Sequence, residues 1–252
     1  MQLGLALSFE GNASLGDLYR VLFDRFVKFT PKSTTYNKRV KDWDPKKHLP
    51  LLDSCDLDDM LSFGARGEMF YYSLIPRPHP YRSIKIIQNS QSFCPGEEEV
   101  SAIVDRPGFI AGFIYNEDYD YVQSVPGDYY GNRYNEFSSE ILASLKNTPY
   151  ETMSGGKRYH TKFNPGRSLE IDHLQLLVAW KMLFGPGFFK LVSKERIMSF
   201  PYATTIKELS DNLLYVQLYD NVEEPYIPEN VFRQWKWREW IDYDGLEVKY
   251  KW

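Results

Sequence analysis

The chain has 252 residues, 43% hydrophobic and 25% charged, and its mean hydropathy is -0.47, which argues against a disordered chain, a coiled coil and a bundle of membrane spans. Lys and Arg number 30 against 34 Asp and Glu, a net charge of -4 with pI near 5.7, the wrong sign for a broad surface gripping phosphate backbones. Aromatic content is the departure: 19 Tyr, 16 Phe and 6 Trp make 16% of the chain, and a buried phenol wants a hydrogen-bond partner.

Leu3, Leu5, Leu7 and Phe9 alternate with other residues and predict a first strand, ended by Gly11-Asn12. A helix follows. Ser14 and Asp17 resemble a capping box, and Leu15, Leu18, Tyr19, Leu22, Phe26 and Phe29 share one helical face. Residues 30–50, with Pro31, Pro45 and Pro50, read as a long loop around Trp43, and Asp56 to Leu61 as one or two helical turns. Residues 68–75 and 83–87 read as antiparallel strands on either side of Pro76, Pro78 and Pro80. Phe109 to Tyr115 is a near-continuous apolar strand, Tyr119 to Val122 continues the sheet, and Glu136 to Leu145 has a short helical pattern.

Thr148 to Arg167 is rich in Gly, Pro, Ser and Lys and marks a boundary or an exposed excursion. Ser168 then caps a helix running to about Phe184, which Gly185-Pro186-Gly187 stops. Phe188 to Val192, Arg196 to Phe200 and Leu214 to Tyr219 read as strands, with Tyr215, Gln217 and Tyr219 on one face. Pro228 opens a last helix to about Ile241 bearing Phe232, Trp235, Trp237 and Trp240. Strands neither alternate regularly with helices nor stand free of them, so the fold class is α+β, with antiparallel sheet, packed amphipathic helices and an aromatic-rich core. Residues 1–252 are read as one α+β unit, with 1–148 and 149–252 as the two subdomains if it divides.

No motif names a reaction. His48, His79, His160 and His173 are scattered, and Asp172-His173 reads as a helix start. Ser154-Gly155-Gly156-Lys157 is followed by Arg158 where a phosphate loop needs Ser or Thr, so it reads as a turn. Neither Cys55 nor Cys94 has a metal or redox spacing, and both are expected reduced. No metal or other cofactor is expected. Lys38, Arg39, Lys41, Lys46 and Lys47 form the densest basic stretch but sit among Asp42 and Asp44, a solvated polar loop. The N-terminal ten residues lack a positive leader, and no apolar run of about 18 residues occurs, so the expected location is the cytoplasm with no membrane contact.

The remaining chemistry lies in the acid-aromatic run Glu117, Asp118, Tyr119, Asp120 and Tyr121, followed by Asp128, Tyr129 and Tyr130. Tyrosines offer rigid contact area and acids steer a basic partner, which makes these eight residues the candidate partner-binding surface. A solvated sheet edge is the plainer reading. Clustered carboxylates also serve metal-dependent hydrolases and nucleases, with Glu117, Asp118 and Asp120 as the acids, and exposed aromatics serve carbohydrate- or peptide-binding modules. No catalytic residue is assigned.

The opening strand and helix, Trp43, and in the C-terminal half Leu176-Leu177-Val178-Ala179-Trp180, Gly185-Pro186-Gly187-Phe188-Phe189, Glu195-Arg196, Val216-Gln217-Leu218-Tyr219 and Arg238-Glu239-Trp240 resemble the immunity proteins of bacterial polymorphic-toxin systems. The nearest group is the one paired with restriction-endonuclease-fold toxins, including a type VI secretion effector. The resemblance implies a non-enzymatic antitoxin in the bacterial cytoplasm whose partner is one cognate nuclease toxin, with no direct nucleic-acid binding. It assigns no contact residues.

Overall fold

The computed structural model describes residues 2–11, 32–36, 39–54, 63–66, 70–74, 81–88, 106–125, 137–143, 150–151, 157–158, 161–171 and 174–250, with the single positions Ser14, Asp17, Arg20 and Val104. The chain is α+β, built on a ten-stranded sheet in which every pairing is antiparallel. Its first strand, β1 (Leu3–Glu10), lies where the alternation put it. On one side β1 pairs with β6 (Tyr81–Gln88), and on the other with β7 (Phe109–Asn116). All eight residues of β7 are buried, as a continuous apolar run in a central strand requires.

Outward from β6 come β5 (Phe70–Leu74), β4 (Phe63–Arg66), β2 (Ser33–Tyr36) and β3 (Arg39–Asp42). The antiparallel pair expected around the proline connection is therefore present as β5 and β6. The loop expected over 30–50 is instead the β2–β3 hairpin followed by helix α1 (Pro45–Ser54). Pro45 takes the first helical position, where its missing N–H costs nothing, and Trp43 stacks on the buried His48 with ring centroids 5.3 Å apart.

The Tyr119–Val122 strand is corrected to a helix, α2 (Glu117–Ser124). Asn116 caps it, its side chain accepting a hydrogen bond from the Tyr119 N–H at 3.0 Å, and Glu117, Asp118 and Asp120 occupy the positive end of the helix dipole. A short helix, α3 (Ser139–Ala143), stands inside the expected helical stretch. The 148–167 excursion holds the small pair β8 (Tyr150–Glu151) and β9 (Lys157–Arg158), but Asn164 to Arg167 are buried, so that end of it is not an exposed loop.

The helix expected from Ser168 to Phe184 is absent. In its place β10 (Leu169–Ile171) and β11 (Leu174–Leu176) form a separate hairpin, and β12 (Lys181–Phe184) enters the main sheet between β7 and β14 (Leu213–Gln217). Leu169, Ile171, Leu174 and Leu176 fit a two-residue period with the buried side inward, whereas of these four only Ile171 and Leu174 share the helical face with Leu177 and Val178, and burial on the hairpin wins over that helical spacing. Gly185-Pro186-Gly187 begins a helix and stops none: Gly185 is the cap and Pro186 the first position of α4 (Pro186–Phe189). The strands expected over 188–192 and 196–200 are α4 and α5 (Lys194–Met198), the latter capped by Ser193, whose Oγ accepts from the Arg196 N–H.

Strand β13 (Thr205–Ser210) pairs with β14 and ends the sheet opposite β3. Pro228 opens α6 (Pro228–Trp240) as expected, and α7 (Tyr243–Tyr250) follows. The core is aromatic: Trp237 is fully buried, with ring centroids 5.7 Å from Phe184 and 5.1 Å from Phe200. Among the described residues no helix is long and apolar enough to cross a membrane. The predicted helix after Gly11-Asn12 lies largely outside the described residues, though its cap is seen, the Asp17 N–H donating to the Ser14 Oγ at 3.1 Å. Asp56 to Leu61, both cysteines, Asp172-His173 and Ser154 to Gly156 lie outside them as well.

Candidate functional site

The acid-tyrosine run is where strand β7 turns into helix α2, and the turn sends its side chains in different directions. Glu117 points inward. Its side chain is 8% exposed and its Oε1 accepts from the Lys85 Nζ on β6 at 3.0 Å, while Oε2 is buried without a hydrogen bond. Tyr119 is also buried, its hydroxyl donating to Gln234 Oε1 on α6 at 3.0 Å. Glu117 and Tyr119 therefore sit inside the fold, which corrects the expectation that they lie on an open partner-binding face. Asp118 is half-buried, its Oδ2 accepting from the Gln2 N–H at 3.1 Å. Tyr121 is half-buried against Phe137, ring centroids 5.7 Å apart. Asp128, Tyr129 and Tyr130 lie outside the described residues.

Asp120, half-buried, faces the same polar cluster from one turn along α2. It accepts a hydrogen bond from Ser124 Oγ at 3.1 Å, and Ser124 Oγ in turn accepts from both the Ser168 N–H and the Ser168 hydroxyl at 2.8 Å. Burial pushes the Asp120 carboxyl up to about 6; Lys85 opposes the rise, the Glu117 charge adds to it, and the hydroxyls of Ser124 and Ser168 restrain it. The Tyr115 phenol is driven well above its ordinary range, first by burial and then by the charges of Glu117 and Asp120. Two carboxylates, one ammonium and two hydroxyls thus share a pocket of protein. The arrangement can hold or release a proton near neutral pH, as sites for acid-base work do and as some structural networks also do.

Around the cluster the packing is tight. Asn164 Nδ2 donates to the Gln123 carbonyl at 2.9 Å, and the Gly166 N–H donates to Gln123 Oε1 at 3.2 Å. A Cβ on Gly166 would stand 2.4 Å from the Tyr119 ring, so glycine is needed for the loop to lie against α2. Lys85, Ser124 and Ser168 were not in the candidate set. They come from β6, the end of α2 and the entry to β10, and no spacing in the sequence joins them.

A second set of exposed side chains also escaped the sequence reading. Met198 is 46% exposed, Tyr202 41% and Phe232 45%, with the Tyr202 and Phe232 rings edge to face at 5.3 Å. Tyr202 rests on buried Phe200 at 5.8 Å, and Lys236 Nζ lies 5.7 Å from the centre of the Phe232 ring. The available signal was the position of Phe232 in α6, off the buried stripe of Asn230, Gln234 and Trp237.

No protein-family model matches the chain, and no curated protein and no solved structure is significantly similar to it.

Proposed function

We propose that this protein is a non-enzymatic immunity protein that binds a cognate nuclease toxin in the bacterial cytoplasm and occludes its active or DNA-binding surface. One observation carries the reading: Met198, Tyr202 and Phe232 are held outward on a frame whose neighbouring rings, Phe200 and Trp237, are buried. Exposed Tyr202 and Phe232, packed on each other and, through Tyr202, on buried Phe200, make the kind of surface from which protein-binding hot spots are built, because little side-chain freedom is left to lose on docking, and Met198 adds adaptable apolar area. The net charge of -4 supports the same reading, since a DNA-binding toxin carries basic surface and opposite charge speeds encounter.

The test is co-expression with the product of the neighbouring gene, followed by co-purification and a nuclease assay. A stable complex with suppressed nuclease activity is expected, and Phe232→Asp with Tyr202→Asp should weaken binding at least about a hundredfold, the range of a hot-spot pair, without lowering Tm. Absence of any complex, or full affinity in the double variant, overturns the reading. Metal-dependent turnover by the purified protein that Asp118→Asn abolishes would replace it with the hydrolase alternative.

A further inference from the structure

At the far end of β13 from Tyr202, an open cleft of about 380 Å³ lies between the end of β1, the start of α4 and the β13–β14 turn. Among the described lining residues the one arginine, Arg106, opens a tight turn. Pro107 is second, Gly108 with φ 80° is third, and the Phe109 N–H closes the turn on the Arg106 carbonyl at 3.2 Å, the signature of a type II turn. The Glu10 N–H also donates to the Gly108 carbonyl at 2.7 Å, tying the turn to β1. Arg106 is thus placed by backbone hydrogen bonds, and among the described residues no carboxylate pairs with its guanidinium. Glu10, the acid among the described lining residues, accepts from Lys190 Nζ at 3.0 Å, an exposed pair that offsets part of its charge. Phe109 and Leu213 are buried apolar side chains of the lining, and Ser210 and Asn212 give neutral polar groups on the rim.

We propose that this cleft binds a small organic oxyanion, a carboxylate or a phosphate monoester on a compact apolar body, with Arg106 as its anchor. A guanidinium presents a planar fork to two oxygens of such a group, and a half-buried one left unpaired gains more from an anion than a fully hydrated side chain does. The volume lies at the small end of ligand cavities, enough for one ring or a short branched chain.

Titration calorimetry of the full chain with benzoate, phenyl phosphate and inorganic phosphate at matched ionic strength tests this. At least one of the two ring-bearing anions should bind about tenfold or more tighter than inorganic phosphate, and which one binds better identifies the head group. Arg106→Gln should lose about tenfold or more in affinity for that anion with Tm unchanged, Arg106→Lys should retain part of it, and Phe232→Asp should bind as wild type. Equal affinity for inorganic phosphate and both ring-bearing anions, undiminished binding in Arg106→Gln, or no binding by any probe at about 10 mM overturns the proposal.

Discussion

Asp120→Asn isolates the electrostatics of the buried cluster. Asparagine keeps the shape and the oxygen that accepts from Ser124, and removes only the charge. In the folded chain the Asp120 carboxyl titrates at about 6, against an ordinary value of 3.8. Between these values the folded chain holds a proton that the unfolded chain has released, so stability falls as pH rises through the interval and levels off above it. The full interval is about two pH units, each worth about 1.4 kcal/mol, and partial exposure of Asp120 reduces the total to about 1–3 kcal/mol. Asp120→Asn should therefore match wild type near pH 3.5, where the native carboxyl is already neutral, and exceed it by about 1–3 kcal/mol at pH 7.5. Urea unfolding at a series of pH values reads this directly, and the m-value should not change. A stability difference that is the same at both ends of the series, or a variant less stable than wild type at pH 7.5, refutes the assignment of a destabilising charge to Asp120.

Lys85→Met tests the other half of the cluster. It leaves the 8%-exposed Glu117 carboxylate without its cation and should cost about 2–4 kcal/mol, while adding Glu117→Gln should restore at least half of the loss; strictly additive effects in a double-mutant cycle would mean that the pair at 3.0 Å is not coupled. Trp237→Ala should cost about 3–5 kcal/mol and lower Tm by about 6–20 °C, because it empties the space between Phe184 and Phe200. Trp237→Phe should be much milder, since the indole Nε1 makes no hydrogen bond that could be lost; equal damage from the two substitutions, measured by calorimetry, would locate the cost outside the cavity.

Elements whose local signal agreed with their burial were legible in the sequence. The alternation of Leu3 to Phe9, the apolar run from Phe109 and the proline at 228 each specified a strand or helix end that tertiary packing then used. Helix α2 was misread because Tyr119 and Tyr121 favour strand, whereas Asn116 followed by acids at 117, 118 and 120 is a helix start, and the cap outweighs the weak preference of the rings. The same strand reading put Glu117 and Tyr119 on an outer face, whereas the helix turns both inward. Ile171 and Leu174, with Leu177 and Val178, fit a helical period, while Leu169, Ile171, Leu174 and Leu176 fit a strand period, and the place of this hairpin in the core decides between them. The Lys85–Glu117–Asp120–Ser124–Ser168 cluster was illegible for a different reason: the sheet register between β1, β6 and β7 sets Lys85 beside the end of β7 where Glu117 follows, long-range hydrogen bonds join Ser124 on α2 to Ser168, and neither pairing leaves a spacing in the sequence.

That Phe232 faces outward follows from what α6 turns inward. Asn230, Gln234 and Arg238 recur every four residues on its buried side, and each donates to a fixed carbonyl: Asn230 Nδ2 to Glu224 at 2.8 Å, Gln234 Nε2 to Pro225 at 2.7 Å, and Arg238 to Asn164 and, at 3.2 Å, to Lys162. Turning the helix to bury Phe232 would gain about 2 kcal/mol of apolar burial. It would also pull these donors off their carbonyls, and each buried acceptor left unpaired costs about 1–3 kcal/mol. Three such losses exceed the one gain. The helix is held by its polar side, and the Phe232 ring stays available at the surface because the fold cannot withdraw it.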